Sequence, residues 1–181
     1  FGFINTVGLR GSAQPMEGAY FFGELAYQFG KAGVDPAGIA LAGESVQGWG
    51  IDLGLEYTFA NVATTPKLGA EWIFHSGKRG ENDTGTNRRG ADAGWVPIAP
   101  GYFTSALREF QTQSTVAGFY PNDEVGVTSA STNQHQLSLY GSFKPVEDLT
   151  VAPRLSWFIL DEGTIPAAGS KRKSFAGTEW D

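Results

Sequence analysis

A strict two-residue alternation recurs along this chain and limits what it can fold into. From Gln47 to Phe59 one set of positions reads Trp49, Ile51, Leu53, Leu55, Tyr57, Phe59 and the other Gly48, Gly50, Asp52, Gly54, Glu56, Thr58. A helix, with its period of 3.6 residues, would mix the two sets, whereas a β-strand keeps them on opposite faces. Ala19 to Lys31 divides in the same way, with Phe21, Leu25, Tyr27 and Phe29 against Tyr20, Phe22, Glu24 and Gln28. In Pro66 to Gly77, Leu68, Ala70, Trp72 and Phe74 oppose Lys67, Gly69, Glu71, Ile73 and His75. Phe3 to Gln14, Asn133 to Lys144 and Leu149 to Leu160 repeat the pattern more weakly. Pro153 interrupts the last of these; it cannot donate to a ladder and is expected at an edge or bulge. A seventh strand opens near Phe175 and runs towards Asp181.

The connections alternate as well. Gln14 to Gly18, Ala60 to Thr65 and Pro145 to Asp148 are short and carry turn residues, while Ala32 to Val46, Lys78 to Thr132 and Asp161 to Ser174 are long. Every long loop would therefore leave one end of the sheet. Each strand persists for about ten residues or more, beyond the usual mode of about five to six and close to the roughly 9 to 11 that cross a bilayer when tilted. The expected fold is all-β: part of an antiparallel up-and-down transmembrane barrel, about seven strands of a larger one, with short periplasmic turns and long extracellular loops. A soluble β-sandwich also alternates apolar and polar residues and is the competing architecture.

Composition narrows the functional classes. Helical membrane spans are excluded because no apolar stretch approaches the roughly 18 to 20 residues required. With a net charge of −6 and scattered Lys and Arg, the chain offers no basic footprint for nucleic acid. The absence of Cys removes disulfide scaffolds and thiolate chemistry. Residues 1–181 read as one barrel domain, and the start at Phe1 with an end inside a strand-like run lead us to expect a fragment.

The run from Trp49 to Gly77, the large loop after it and the closing Phe175 to Asp181 resemble the alginate-export family of outer-membrane porins. Gly177, Thr178, Glu179 and Asp181 are similar to that family's G-T-E-x-D opening of a late strand. The resemblance implies a monomeric barrel of about eighteen strands, within the even-numbered range of such barrels, in the outer membrane of a Gram-negative-type bacterium. This chain would be its C-terminal portion without the last strands. The family's polyuronate conduit is Arg-rich, and this sequence departs from it: Arg10, Lys67, Lys144 and Arg154 face Glu24, Asp52, Glu56, Glu71, Glu179 and Asp181 on the expected inner face. A slightly acidic lumen suits a general or cation-tolerant porin better than polyanion export.

The expected pore-lining residues are Arg10, Glu24, Gln28, Asp52, Glu56, Lys67, Glu71, His75, Gln136, Tyr140, Lys144 and Arg154. Their charges would either filter ions or pair across strands and hold the wall together. Trp49, Tyr57, Phe59, Trp72, Phe74 and Trp157 suit membrane-interface girdles. Residues 78–132 form a loop too long for a connector. Trp95, Tyr102, Phe103 and Arg108 are its candidate constriction residues, with Thr104 to Gln113 as a short helix. Glu81, Asp83 and Asn87 offer oxygen ligands for calcium but lack EF-hand spacing, and Lys171 to Lys173 either meet lipopolysaccharide phosphates or stay solvated. His75 and His135 have no nucleophile or carboxylate placed beside them by spacing, so no enzyme activity and no cofactor is expected. The expected partners are the lipid bilayer, lipopolysaccharide and a small hydrophilic solute or saccharide. The expected activity is passive passage through a water-filled barrel; the alternative is a surface platform whose outer loops bind a partner or glycan.

Overall fold

The computed structural model describes residues 3–31, 45–77, 92–93, 95, 134–164 and 173–180. Its strands in chain order are β1 Phe3–Met16, β2 Ala19–Lys31, β3 Ser45–Thr58, β4 Lys67–His75, β5 Asp92–Ala93, β6 Gln134–Val146, β7 Leu149–Val151, β8 Arg154–Thr164 and β9 Lys173–Trp180. One sheet runs β1-β2-β3-β4-β6-β8-β9, each long strand antiparallel to its sequence neighbour. Among the described residues the sheet is open, with β1 and β9 as its edges. The architecture is thus all-β and up-and-down, and its long strands follow the alternation.

Pro153 has the anticipated effect. Ala152 and Pro153 leave the ladder and split one strand into β7 and β8, while Pro153 still accepts at its carbonyl from Gly141 N–H at 3.0 Å. The short turns are tighter than the sequence suggests. Pro145 lies inside β6, not in the turn, and β1 extends through Pro15 to Met16; a register shift accompanies each extension. At the first turn Gly18 takes a φ of +81°, and its carbonyl accepts from Thr58 N–H at 2.8 Å. A Cβ there would stand 2.5 Å from the Thr58 carbonyl oxygen, so only glycine fits. The β3–β4 connection closes with Phe59 N–H donating to Pro66 O at 2.9 Å, and Thr65 sits at a φ of 40°.

Burial runs opposite to that of an ordinary water-soluble domain. Among the described residues the buried polar ones are Gln28, Gln134, Gln136, Ser138, Ser156 and Glu179, with Gln28 and Ser156 fully enclosed, and the buried apolar ones are only Ala19, Ala26 and Phe158. By contrast, Leu9, Leu25, Leu53, Leu55, Leu137 and Leu139 are exposed, Leu9 to 76%. Cross-strand register assigns these sets to opposite faces: Gln136 lies in the row of Glu24 and Asp52, and Leu137 in the row of Leu53 and Trp72.

Replacing Gly18 by Ala should lower the unfolding free energy by at least about 1–2 kcal/mol, the cost of the left-handed region for a residue with a Cβ. Equilibrium denaturant unfolding measures this. An unchanged midpoint would show that the turn tolerates a Cβ.

Candidate functional site

The polar face is organised in cross-strand rows. One row contains Arg10, Glu24, Asp52, Ile73, Gln136 and Phe158. The next holds Ser12, Phe22, Gly54, Glu71, Ser138, Ser156 and Glu179, and the one nearer the short turns Tyr20, Glu56, Gly69, Tyr140 and Arg154. Lys67 follows in the row of Thr58 and Ser142. Residues remote in sequence thereby become neighbours.

Glu56 is the centre of a charged network. Lys67 Nζ donates to its Oε2 at 3.0 Å and Tyr140 Oη to its Oε1 at 2.9 Å. The Tyr140 ring in turn lies 5.1 Å beneath the Arg154 guanidinium, and Arg154 is hydrogen-bonded to Glu71. Beside this network, Gln136 Nε2 donates to Ser138 Oγ at 3.2 Å, and the Ser138 and Ser156 hydroxyls share a bond of 2.9 Å. Paired charges and bonded hydroxyls offset much of the cost of burying this polar face, while Asp52 Oδ1 and Arg154 Nε are buried without a hydrogen-bond partner among the described residues. Arg10 and Asp52 flank Glu24 in register, so Glu24 has one cation and one like charge as its neighbours.

Two glycines of this face stand directly opposite an aromatic ring, a match that spacing along a single strand does not reveal. Phe22 is directly opposite Gly54, and Tyr140 directly opposite Gly69. In each case a Cβ on the glycine would enter the facing ring. Trp95 covers Gly50 in the same manner, three of its ring carbons lying 3.0 to 3.3 Å from where a Cβ would be. The rings thus fill the gaps left by the missing side chains, the packing known as aromatic rescue of glycine. The signal in the sequence was the excess of Gly on the polar face; only the register supplies its partners.

Of the expected lining residues, Arg10, Glu24, Gln28, Asp52, Glu56, Lys67, Glu71, His75, Gln136, Tyr140 and Arg154 occupy polar-face rows. Lys144 stands apart near the short turns, exposed, its backbone N–H donating to Thr64 O at 3.0 Å. Tyr20, Phe22, Ile73 and Phe158 share the polar face although alternation alone gave them no role. On the apolar face, Trp49 tilts against Tyr27 with centroids 4.6 Å apart, and Tyr57 meets Phe59 edge-on at 4.8 Å. Trp72 and Phe74 stack on each other, and Trp157 lies in the row of Trp72.

The histidines fall on opposite faces. His75 stacks with Trp95 on the polar side at 5.4 Å, whereas His135 stacks on Phe74 on the apolar side at 4.6 Å. Trp72 Nε1–H donates to His135 Nδ1 at 3.2 Å, and His135 Nε2 is 3.6 Å from Asp161 Oδ1. Tyr102, Phe103 and Arg108, the helix over 104–113, the oxygen-rich Glu81, Asp83 and Asn87, and Lys171 and Arg172 lie outside the described residues.

The two ion pairs should respond differently to substitution. Arg154 and Glu71 expose only 17% and 13% of their side chains; Arg154→Met strands a shielded carboxylate and should cost about 3–5 kcal/mol. Lys67 is 38% exposed and its partner Glu56 keeps the Tyr140 bond, so Lys67→Met should cost no more than about 1 kcal/mol. Denaturant unfolding of both variants checks the ordering. No protein-family model and no curated protein matches this chain, so its face must be interpreted from its own geometry.

Proposed function

We propose that this chain forms part of the wall of a bacterial outer-membrane β-barrel and gives ions and hydrophilic solutes, saccharides among them, a passive water-filled path. The observation that carries the proposal is the reversed burial. Burying a leucine side chain is worth about 1.5–3 kcal/mol, so six half-exposed leucines in water forgo on the order of 5–9 kcal/mol, comparable with the whole stability of a domain at about 5–15 kcal/mol. Against lipid the same residues are in their preferred surroundings. Antiparallel strands of 13 and 14 residues in β1 to β3 are long enough to cross the hydrocarbon at a tilt. Spanning strands also need a closed sheet, so β1 and β9 would join further strands. The resemblance to alginate-export porins points the same way.

The inner surface does its work without a covalent step. Glu56 and Glu71 are engaged by Lys67 and Arg154, which leaves Glu24 and Asp52, with Arg10 alongside, as the charges best placed to act on a passing ion. Two carboxylates against one guanidinium favour cations. Among the described residues this face also lacks the cationic ladder that a polyuronate needs.

The complete protein should conduct in planar bilayers and make liposomes swell in sugar solutions. The reversal potential in a salt gradient should indicate cation preference, and Glu24→Gln with Asp52→Asn should weaken it. A barrel that carries no current would overturn the channel reading; an unshifted reversal potential in the double variant would remove these two carboxylates from ion selection.

A further inference from the structure

A cavity lies on the polar face at the short-turn end of β1 to β4. It measures about 480 Å³, within the roughly 300–1,000 Å³ of small-molecule sites, and Gln14, Glu17, Tyr20, Glu56, Thr58 and Lys67 line it. Two register pairs bring these side chains together: Tyr20 faces Glu56 across β2 and β3, and Thr58 faces Lys67 across β3 and β4. The remaining side comes from an irregularity in β1. Between Ala13, which pairs with Phe21, and Met16, which pairs with Ala19, β1 has Gln14 and Pro15 where β2 has Tyr20 alone. Such a bulge re-aims side chains at barrel rims and beside binding sites. The Gly18 carbonyl accepts from Thr58 N–H at 2.8 Å, which ties the β1–β2 turn to the end of β3. The border of the cavity is thus fixed by backbone bonds.

Its polar groups are of mixed sign and only partly used. Lys67 Nζ carries three N–H donors, and one goes to Glu56 Oε2 at 3.0 Å. The Glu56 oxygens accept from Lys67 and from Tyr140, and each keeps a second lone pair. Gln14 and Thr58 add an amide and a hydroxyl, both able to donate and to accept. Beside them stands the Tyr20 ring, steadied by Phe22 with centroids 5.9 Å apart. An anion would meet the carboxylates of Glu56 and Glu17, and a cation would have to displace Lys67 from Glu56. A neutral polyhydroxy ring meets neither obstacle. Its hydroxyls donate to Glu56 and accept from Lys67, while its C–H face lies on the aromatic ring, apolar against apolar.

We propose, resting on the channel reading above, that this cavity is a subsite for one ring of a neutral saccharide. Tyr20 is the stacking platform, and Glu56, Lys67, Thr58 and Gln14 are the hydroxyl partners. The subsite gives the short-turn mouth a preference for sugars that the Glu24 and Asp52 charges do not supply.

Saturation-transfer difference NMR on the complete protein in detergent micelles, with glucose as the probe, reads binding without any current. Signal should appear on the glucose C–H protons and saturate with concentration. Tyr20→Ala should abolish it and Tyr20→Phe should retain it. Lys67→Met should weaken binding at least about tenfold, as the loss of a hydrogen bond to a charged group does. Gln14→Trp, at an exposed position of the bulge, fills the cavity and should also abolish the signal, so the site is tested even where Tyr20→Ala does not fold. Glucuronate, with its carboxylate, should bind more weakly than glucose. No glucose signal in the wild type, an undiminished signal in Gln14→Trp, or glucuronate binding as well as glucose would overturn the proposal. A barrel that conducts without binding glucose keeps the channel reading and loses this subsite; one that binds glucose and carries no current overturns the channel reading alone.

Discussion

The sheet buries its polar face and exposes its apolar one, and the rest of the structure follows from that reversal. In a water-soluble domain the buried side is apolar and cohesion comes from removing hydrocarbon from water. Here the apolar positions of β1, β2 and β3 are exposed, so cohesion on the polar side must come from polar contacts and ring packing. A buried polar group without a partner costs about 1–3 kcal/mol. Partners are therefore arranged across strands: Lys67 to Glu56, Tyr140 to Glu56, Arg154 to Glu71 and Ser138 to Ser156. Lys67–Glu56 and Ser138–Ser156 meet across single hairpins, 11 and 18 residues apart, whereas Tyr140–Glu56 and Arg154–Glu71 join residues 84 and 83 apart in sequence.

The same constraint explains why glycine and aromatic residues share the polar face. A single sheet has no second layer against which large side chains can interlock, and a uniform row of them would crowd one another. Opposing Phe22 with Gly54 and Tyr140 with Gly69 lets each ring lie across the neighbouring backbone. This shields ladder hydrogen bonds from water and fixes register, because a slip of one residue would drive a ring into a Cβ. Tyr140 serves both devices: its ring covers Gly69 while its hydroxyl joins the Glu56 network.

Much of this architecture was legible in the sequence. Period-two alternation located the long strands and sorted their faces, since the side-chain period of a strand is fixed by backbone geometry. Pro153 announced the break between β7 and β8 for an equally local reason. What remained hidden depends on register, a relation between strands that neither strand specifies alone. Glu71 and Arg154, and Gly54 and Phe22, become neighbours only when the ladders are aligned. Trp95 was named as a candidate constriction residue, but the place its ring fills is an absence of atoms at Gly50. A missing side chain gives no signal until something is seen to fill it.

The two histidines show how far position on a face decides chemistry. His75 follows the odd-numbered polar positions of β4 and meets Trp95 inside. His135 follows the apolar positions of β6, where an imidazole surrounded by hydrocarbon would be costly. The cost is offset because Trp72 Nε1–H donates to Nδ1, which leaves the proton on Nε2 towards Asp161. Asp161 also accepts from Gly77 N–H at 2.8 Å through its second oxygen. Indole, imidazole and carboxylate thus satisfy one another on the apolar face, beside the ends of β4 and the start of β6. Such a cluster suits a membrane–water boundary, where aromatic rings keep their bodies in hydrocarbon and their polar atoms within reach of headgroups.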